Sequence, residues 1–600
     1  MLDTFRKLRA LLSPREQRQA LVLLGMMLVA AVVEIAGVAS ILPFIGVLSD
    51  PSIIDENKLL SVAYTYLGFS HQRGFLVFLG SVLLLLFLGS LFFRALTVYA
   101  IQRFSLMRIH SIAVRLLKVY MGQKYEFFLH RNSAGLSKSL LSEVATVATS
   151  VLLPAMRALS GTIVSLAIVL VLIIVEPLTS LALAALFVGS YLIVDRLTQK
   201  DVRHAGELRL KANEDQYRLA GEAIQGLKEL RVLGREADYI ERFKRPSRVY
   251  AVYQSRMLIM REIPFYVIQG AAFGGMLVIL LYWIVRGDEI NKILPLISFF
   301  AFAGYRLLPA FQDVYRSVGQ MRFALPALDQ LSADMQLATD GTPPSTRSIA
   351  PMRFRESLEF KSVDFRYEGA EANALSAFSF TVPARGSIAL VGPTGAGKST
   401  VADLILGLLT PTAGTITVDG VALNLGNRRS WQANLGYVPQ QIYLTDDTIA
   451  ANIAFGVPAH EVDRQKVERA ARQAQLYEFI MSELPMKFDT VIGERGSRLS
   501  GGQRQRLGIA RALYDDPKVI VFDEATSALD NQTEAAVMDA IEQLGREKTV
   551  VIVAHRFNTI RSCDLICLMD KGTIAGSGRY EELMAHNALF QDLATGGSGR

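Results

Sequence analysis

Residues 387–400, "SIALVGPTGAGKST", place a glycine-rich loop directly after a short apolar run. The loop fits the spacing G-x-x-x-x-G-K-[ST], in which glycines let backbone N–H groups surround phosphate oxygens. In this pattern Lys398 reaches the β- and γ-phosphates of a nucleotide, and Ser399 is able to ligate Mg²⁺. The N-terminus of the helix that should follow adds further positive potential. The loop therefore predicts a phosphate site between a strand and a helix, although the pattern alone has false matches.

A second motif lies downstream at residues 518–530, "KVIVFDEATSALD". Its apolar half predicts a buried strand, and the strand ends in two adjacent carboxylates. Asp523 is placed to hold Mg²⁺, directly or through water. Glu524 is placed to polarise an attacking water molecule. The two motifs together favour nucleotide hydrolysis.

Three further features fit the same chemistry. Residues 499–506, "LSGGQRQR", predict a glycine-rich turn that opens a helix, which is another anion-binding arrangement. His555 ends the strand pattern "VIVAHR", where an imidazole could contact a γ-phosphate, and Gln440 lies in "YVPQQ". Each has a plainer interpretation, since a loop glutamine is usually solvated and a strand-terminal histidine is often only capped. Their ordered occurrence in one chain makes coincidence remote.

With these motifs, residues 355 to 595 resemble the ATP-binding cassette (ABC) family. The resemblance implies that Glu524 and His555 are catalytic, the histidine being the switch residue, and that ATP and Mg²⁺ are the cofactors. It implies that the metal is held by Ser399, Gln440 and Asp523. The implied nucleotide-binding residues are the adenine-stacking Tyr367, the Walker A loop of Gly392, Pro393, Thr394, Gly395, Ala396, Gly397, Lys398, Ser399 and Thr400, the Q-loop Gln440, the signature residues Ser500, Gly501, Gly502 and Gln503, and the D-loop Asp530.

Two smaller features accompany the resemblance. The segment "GERG" (493–496) is similar to the stretch that contacts the membrane domain in exporters. Thr445 is a departure, because exporters commonly carry phenylalanine there. This departure does not touch the ATP chemistry.

The composition changes near residue 330, from long apolar stretches to the mixed texture of an α/β domain. The apolar stretches approach the roughly 20 residues that span a bilayer. We predict a polytopic α-helical membrane domain with six transmembrane helices, followed by an α/β P-loop ATP-binding cassette domain. The predicted domains are residues 1–330 and 355–600, with a linker at 331–354. The predicted spans are 21–48, 75–101, 150–175, 177–197, 263–285 and 291–310.

The formal net charge of +7 is concentrated in two long loops, after spans two and four. By the positive-inside rule these loops, both termini and the cassette are cytoplasmic, which predicts a multi-pass protein of the inner (plasma) membrane. The charge therefore does not require a nucleic-acid partner. Cys563 and Cys567 both fall in the cassette and are expected to be free thiols in a reducing cytosol.

Six spans and one cassette resemble an exporter-type half-transporter. In this family the signature of one cassette completes the ATP site of another, so the resemblance implies pairing. Because both Glu524 and the signature are intact, the economical partner is a second copy, giving a homodimer. The tips at 123–130 and 226–243 then resemble the coupling helices that dock on the cassettes.

Arginines within apolar stretches are the unusual feature of the membrane half. Arg94 lies in "LFLGSLFFRALTVYA" (86–100), Arg306 lies in span six and Arg261 lies at the entry to span five. At 1.5 Å per helical residue they lie about 28, 22 and 38 Å from the outer ends of their spans. Snorkelling to the inner surface and pairing with Glu34 are the plain alternatives. A cavity lined by these arginines favours an anionic, phosphate-bearing substrate.

The arginines, and a helix expected at residues 55–69 on the outer surface, resemble PglK-type lipid-linked oligosaccharide flippases. This resemblance implies an ATP-driven flippase that moves a pyrophosphate-bearing lipid-linked oligosaccharide, of the kind used for glycosylation, to the outer leaflet. The external helix would handle the lipid tail, or it would pack passively over the bundle. Export of other lipids, drugs or peptides is the main alternative. An ATP-gated channel or regulator is disfavoured by the intact ATP-site motifs.

Overall fold

The computed structural model describes residues 2–129, 131–286, 290–337, 349–523, 544, 547–554 and 557–595. For several residues between 183 and 201 and between 261 and 294 it describes the helical backbone alone. The chain divides into two compact units: Met1–Met121 with Arg131–Ala338, and Gly122–His130 with Thr339–Arg600. The tip segment Gly122–His130 therefore belongs to the unit that carries the glycine-rich loop.

The described part of the first unit is helical throughout. Its helices are α1 (Leu2–Leu11), α2 (Pro14–Ala39), α3 (Ile41–Ser49), α4 (Ile53–Glu56), α5 (Lys58–Tyr66), α6 (Gln72–Met121), α8 (Ser133–Lys138), α9 (Val144–Val147), α10 (Leu153–Val175), α11 (Pro177–Gln225), α12 (Leu227–Leu233), α13 (Glu236–Arg286) and α14 (Ile290–Met335). Helix α7 (Tyr125–Leu129) lies in the second unit. The π-helical segments Ser139–Glu143 and Ala148–Leu152 flank α9.

Local chemistry fixes the first break between helices. Ser13 caps α2 in a capping box with Glu16, and Pro14 occupies the first helical turn, where a missing N–H costs nothing. Arg108 and Arg115 of α6 form ion pairs with the same Glu16 carboxylate. The start of α2 is therefore tied to the neighbouring helix as well as capped.

Three described helical segments are long and apolar enough to cross a membrane: Pro14–Ser49, Gln72–Met121 and Ser133–Val175. They contain the first three predicted spans. The predicted spans 177–197, 263–285 and 291–310 fall on α11, α13 and α14. Many side chains of the first two, and those of residues 291–294 in the third, are not described. The helix order agrees with six spans, and the count of six stays a prediction.

The predicted linker lies only partly within the described chain. Residues 331–335 continue helix α14, and residues 338–348 lie outside the described residues. Asp334, near the end of α14, is buried and accepts hydrogen bonds from Tyr120 (2.9 Å) and Arg131 (3.1 Å). These contacts hold the end of α14 against the end of α6 and the segment that begins at Arg131.

The second unit is built on two sheets. Its strands are β1 (Ser357–Phe365), β2 (Leu375–Pro383), β3 (Ser387–Val391), β4 (Ala413–Val418), β5 (Val421–Ala422), β6 (Leu435–Val438), β7 (Val519–Asp523), β8 (Thr549–Val553), β9 (Leu565–Asp570) and β10 (Thr573–Gly578). The first sheet is antiparallel with order β2-β1-β4-β5. The second has order β10-β9-β3-β8-β7-β6 and is parallel from β9 to β6.

Apart from α7, the described helices of the second unit lie around these sheets. They are α15 (Lys398–Ile405), α16 (Arg428–Gln432), α17 (Ile449–Ile453), α18 (Arg464–Gln473), α19 (Tyr477–Glu483), α20 (Gly501–Leu513), α21 (Tyr580–His586) and α22 (Ala588–Ala594). The central strands β3, β7 and β8 are apolar runs buried along most of their length, as expected for parallel strands covered on both faces. Loops at the carboxyl ends of such strands meet at one edge, which is where ligands bind in open α/β sheets.

Candidate functional site

The glycine-rich loop follows β3 as the sequence predicts. Gly392 has φ +151°, and a Cβ built there would lie 2.2 Å from the carbonyl oxygen of Met569. Gly397 has φ +99°, and its Cβ would lie 2.8 Å from the carbonyl oxygen of Ala374. Any side chain at either position would collide with backbone. The loop therefore needs glycine for both its turn and its close packing.

Lys398 begins α15, and its side chain is buried within the loop. Its Nζ donates hydrogen bonds to the carbonyl oxygens of Gly392 (2.8 Å) and Pro393 (2.9 Å). The ammonium group is thus held against the loop, and its residue begins α15, whose first N–H groups lack intrahelical partners. A phosphate bound at this helix N-terminus would meet both the ammonium and the backbone donors.

The three predicted metal ligands come from neighbouring elements. Asp523 ends β7, Ser399 is the second residue of α15, and Gln440 follows β6, which pairs with β7 in register Val438↔Phe522. Hydroxyl, amide and carboxylate oxygens are hard donors of the kind Mg²⁺ prefers. The residues present therefore fit a magnesium ion that retains water and phosphate ligands.

Two side chains beside Asp523 escaped the sequence analysis. Tyr437 hydrogen-bonds to the Asp523 carboxylate, and burial raises the pKa of this tyrosine. Burial, together with the Asp523 charge, raises the pKa of the Asp403 carboxyl to about 6. Tyr437 lies three residues before Gln440 in "GYVPQ", a proximity that could have marked it. Asp403 lies one helical turn beyond Ser399, on the helix that the loop begins.

Tyr367 is positioned by the loop helix. Its hydroxyl lies 3.1 Å from Oγ1 of Thr400, and its ring contacts Phe365 edge-on at 4.9 Å. The tip helix α7 lies close by, because the charge of Glu126 acts on Tyr367 and Tyr125 interacts with Tyr367 and Asp523. The ring is therefore supported from one side by the cassette core.

The signature residues begin α20. Ser500 and Gln503 form a reciprocal capping box: the Gln503 N–H donates to Ser500 Oγ (3.2 Å), and the Ser500 N–H donates to Gln503 Oε1 (2.8 Å). Both side chains thus have a structural function at the helix N-terminus. This position also leaves the remaining first-turn N–H groups directed out of the helix end.

The departure at Thr445 has a local reason. Its N–H and hydroxyl both bond Oδ1 of Asn452, at 3.0 and 3.2 Å, and Asn452 is fully buried. Arg511 donates to the same oxygen (3.1 Å) and to the Asn452 carbonyl (2.8 Å). A phenylalanine would lose the hydroxyl contact. This small polar network replaces an aromatic side chain.

Some predicted residues cannot be placed. Glu524, Asp530 and His555 lie outside the described residues. Arg261 lies on α13, with its side chain outside the description. Their roles remain predictions.

The first unit contains a partly open cavity of about 300 Å³, lined by residues of α2, α6, α10 and α14. Two of the predicted arginines, Arg94 and Arg306, line it. The wall also holds Glu34, Asp313 and Arg157, and its remaining lining residues are Ala30, Thr97, Val98, Ile101, Ser160, Gly161, Val164 and Ala310. Gly161 lets α10 approach α14 closely, since a Cβ there would lie 2.6 Å from the Ala310 carbonyl oxygen.

Arg306 is fixed inside the helical unit. Its side chain is 3% exposed, Nη1 lies 3.3 Å from Oε1 of Glu34, and Nη2 donates to Ser90 Oγ (2.9 Å). The guanidinium also lies over the rings of Phe87 (4.9 Å) and Phe302 (5.7 Å). The alternative that these arginines pair with Glu34 is therefore correct for Arg306.

Arg94 is held more loosely. Its Nη1 lies 4.0 Å from the same Glu34 oxygen, and its side chain is 39% exposed. Arg157 is exposed and, within the described part of the chain, has no ion pair within 4.0 Å; its charge acts on Asp313. The sequence analysis missed Arg157, although it lies inside the third predicted span, which is the signal that marked Arg94.

The helix predicted at residues 55–69 is present over a shorter range as α5, and its place on the outer surface stays a prediction. Asn57 caps it by accepting from the N–H groups of Leu59 and Leu60, whereas Asp55 and Glu56, expected at its start, belong to α4. One face, including Leu60 and Tyr64, packs on a small core with Val47, Ile54 and Phe75. The side chains of Leu59 and Tyr66 remain 82% and 89% exposed. The helix thus packs on the bundle and also presents an apolar face outward.

Two family descriptions match this chain. Residues 23–304 match the ABC transporter transmembrane region, and residues 375–527 match the ABC transporter domain. The chain belongs to the ABC transporter family. The predicted fold class, a helical membrane domain followed by an α/β cassette of the exporter half-transporter type, is confirmed.

Curated relatives of this ABC transporter include lipid flippases. The "ATP-dependent lipid A-core flippase" of Haemophilus influenzae is 44% identical over 236 residues, 39% of this chain and 40% of that protein. The protein of the same name from Pseudomonas aeruginosa is 35% identical over 387 residues, 63% of this chain and 62% of that protein. The chain thus spans about 40% of the length of the first relatives that it matches. These names do not show the narrower PglK-type resemblance.

A solved structure shares the fold of this ABC transporter over nearly its whole length. It is a bacterial Atm1-family ABC exporter with ATP bound, similar with a TM-score of 0.78 at 24% identity. The match covers 97% of this chain and 99% of that one. The likeness establishes the fold.

Proposed function

We propose that this chain is half of a homodimeric, ATP-driven flippase that moves an anionic glycolipid from the cytoplasmic to the outer leaflet of the inner membrane. Its substrate is a lipid-linked oligosaccharide with a pyrophosphate head group. The observation that supports the proposal is the cavity of the helical unit, which is lined by the exposed Arg94 and Arg157 and by the buried Arg306.

Charge inside a helical membrane unit is costly unless it has a partner or a function. Among the described residues that line the cavity, three arginines face two carboxylic acids, which leaves a formal excess of one positive charge. An apolar drug or peptide would not need that excess. Guanidinium groups match phosphate oxygens in a bidentate fashion, so a phosphate-bearing head group fits the lining. Arg261, at the entry to the fifth predicted span, is proposed to join them.

The cassette is proposed to bind and hydrolyse ATP. Lys398 and the loop N–H groups hold the β- and γ-phosphates, Tyr367 stacks on the adenine, and Glu524 accepts the proton of the attacking water. His555 donates a hydrogen bond to the γ-phosphate. Ser399, Gln440 and Asp523 would hold a Mg²⁺ ion, which would supply positive charge to stabilise the charge that develops on the phosphates. Because Lys398 bonds to loop carbonyls, nucleotide binding exchanges those contacts for phosphate oxygens.

Pairing follows from the motif set. Each chain has one glycine-rich loop and one signature, so two copies form two sites in which Ser500 of one copy faces the nucleotide held by Lys398 of the other. The signature helix α20 then presents its N-terminus to the γ-phosphate. The basic loops and both cassettes lie on the cytoplasmic side.

The cavity indicates the charge of the substrate head group and does not identify the attached sugar. Relatives of this chain are named for lipid A-core, which suggests a phosphorylated glycolipid as a second candidate. Both candidates share negatively charged phosphate beside a glycan and a long lipid tail. The exposed apolar face of α5 suits the tail, because a helix with one apolar face lies at the membrane interface.

The test is flipping in proteoliposomes containing the purified chain. The panel is a polyprenyl-pyrophosphate oligosaccharide, a lipid A-core glycolipid, and a neutral glycolipid of similar size. ATP-dependent movement of the first, with little movement of the neutral lipid, supports the proposal. Preferred movement of the lipid A-core species favours the second candidate. Equal movement of the neutral lipid rules out recognition of the anionic head group.

A further inference from the structure

Glu34 is the unusual member of the cavity wall. It is buried on α2, and one oxygen, Oε1, lies 3.3 Å from Nη1 of Arg306 and 4.0 Å from Nη1 of Arg94. One carboxylate oxygen therefore serves two guanidinium groups on two other helices. The two contacts are unequal in length, and the two arginines are unequal in exposure.

Arg306 depends on Glu34. The remaining contacts of the Arg306 guanidinium are to the hydroxyl of Ser90 and to the rings of Phe87 and Phe302. None of these carries a formal charge. Since removing one partner of a buried pair leaves an uncompensated charge, the buried Arg306 guanidinium needs the Glu34 carboxylate as its counter-ion.

Arg94 is the arginine that is available to bind a ligand. It is 39% exposed, and the 4.0 Å separation from Glu34 lies at the limit of an ion pair. A phosphate oxygen entering the cavity would meet Arg94 and Arg157, the two exposed arginines of its lining. At Arg94 the phosphate would compete with Oε1 of Glu34, which lies 4.0 Å away. Phosphate can bind a guanidinium through two oxygens, whereas Glu34 contacts Arg94 through one.

We propose that Glu34 is an internal counter-ion: it positions Arg306 and competes with the anionic head group for Arg94, so that the cavity binds its ligand weakly enough to release it. This inference rests on the proposed function, since it assumes an anionic ligand in this cavity. A transport pathway must bind well enough to admit a substrate and weakly enough to let it leave. Three unopposed guanidinium groups around a pyrophosphate would favour retention.

The central experiment measures binding of farnesyl diphosphate to the purified full-length protein, with saturating ADP present to occupy the glycine-rich loop. The variant is Glu34→Gln, which keeps an oxygen acceptor for Arg306 and removes the charge. The matched control is Glu262→Gln, because Glu262 forms an ion pair with Arg316 between α13 and α14 and does not line the cavity. Flipping of the polyprenyl-pyrophosphate oligosaccharide is measured on the same preparations.

Glu34→Gln is expected to lower the dissociation constant of farnesyl diphosphate about tenfold, which corresponds to the free energy of one charged contact. The same variant is expected to flip its substrate more slowly. Glu262→Gln should leave the dissociation constant unchanged. A purely structural role for Glu34 predicts loss of binding and of flipping together, so tighter binding with slower flipping separates the two. Unchanged or weaker binding in Glu34→Gln overturns the inference.

A second variant covers the possibility that Glu34→Gln does not fold. Glu34→Gln combined with Arg306→Gln removes both buried charges and frees Arg94 from its competitor. This double variant should bind farnesyl diphosphate more tightly than the wild type does. Weaker binding, or failure of both variants to fold, overturns the inference. Wild-type protein whose binding is absent, or is unaffected by Arg94→Ala, instead overturns the proposed function.

Discussion

Nη1 of Arg306 lies 3.3 Å from Oε1 of Glu34 in the interior of the helical unit, although 272 residues separate them in the chain. The pair joins the first and the last long helices of that unit, α2 and α14. It also forms part of the wall that Arg94 and Arg157 complete. A charged cavity wall is thus assembled from residues that no local motif connects.

The carboxylate next to Asp523 should control turnover. Glu524→Gln is expected to lower the ATPase rate by at least about 100-fold, because general-base catalysis contributes about 10²–10⁴-fold, while leaving ATP binding intact. Phosphate release and retained ATP are measured in one sample. The control is Glu581→Gln, a cassette carboxylate whose side chain is 72% exposed. Near-wild-type turnover in Glu524→Gln would remove this residue from the catalytic role.

The pairing of two cassettes predicts an ATP-dependent cross-link. Thr394 of the loop and Ser500 of the signature are both exposed, so each is replaced by cysteine. A short cross-linker should join Thr394→Cys of one chain to Ser500→Cys of the other only when ATP is bound. Cys563 and Cys567 do not interfere, because burial raises the pKa of each thiol to about 12.

The control for this cross-link pairs Thr394→Cys with Asp515→Cys, an exposed position away from the signature. That pair should give no ATP-dependent product. Full ATPase activity from a preparation that stays monomeric would contradict the shared site.

The ring of Tyr367 should matter more than its hydroxyl. Tyr367→Ala is expected to raise KM for ATP about tenfold, since stacking on a base contributes about 1–3 kcal/mol. Tyr367→Phe keeps the ring and loses only the contact to Thr400, so its KM should stay close to that of the wild type. Steady-state kinetics give KM for ATP in the two variants. An equal rise in KM in both would show that ATP binding depends on the hydroxyl contact and not on stacking.

The cassette could be predicted well because each of its motifs is formed by residues that are adjacent in sequence. The strand, loop and helix around Gly392 and Lys398 are specified by residues adjacent in sequence, and the structure has all three. Helix α5 was predicted, but its capping residue was not. Residues 53–56 form a separate short helix, which leaves Asn57, and not Asp55, at the start of α5.

The cavity could be predicted only in part. Hydropathy marked Arg94 and Arg306 as charges in apolar stretches, yet it could not tell which of them is buried and paired. That outcome depends on how helices distant in sequence pack against one another. Arg157 was overlooked, although it lies inside the third predicted span and lines the same cavity.

Arg94 should be needed for transport and dispensable for the cassette. Arg94→Ala is expected to lower flipping about 10–100-fold, because a charge-assisted contact of about 1.5–3 kcal/mol is lost. Lysine should restore only part of the rate, since it lacks the bidentate fork. Arg103→Ala on the same helix is the control, because Arg103 does not line the cavity and bonds to Tyr99.

Flipping and basal ATPase, measured together in proteoliposomes for the wild type and for Arg94→Ala combined with Arg157→Ala, test the central claim most directly. The account predicts that this double variant folds, keeps its basal ATPase rate and loses flipping of the pyrophosphate-linked oligosaccharide. It also predicts that the oligosaccharide no longer stimulates the ATPase of the double variant. Normal flipping by a folded double variant would contradict the assignment of this cavity to an anionic head group.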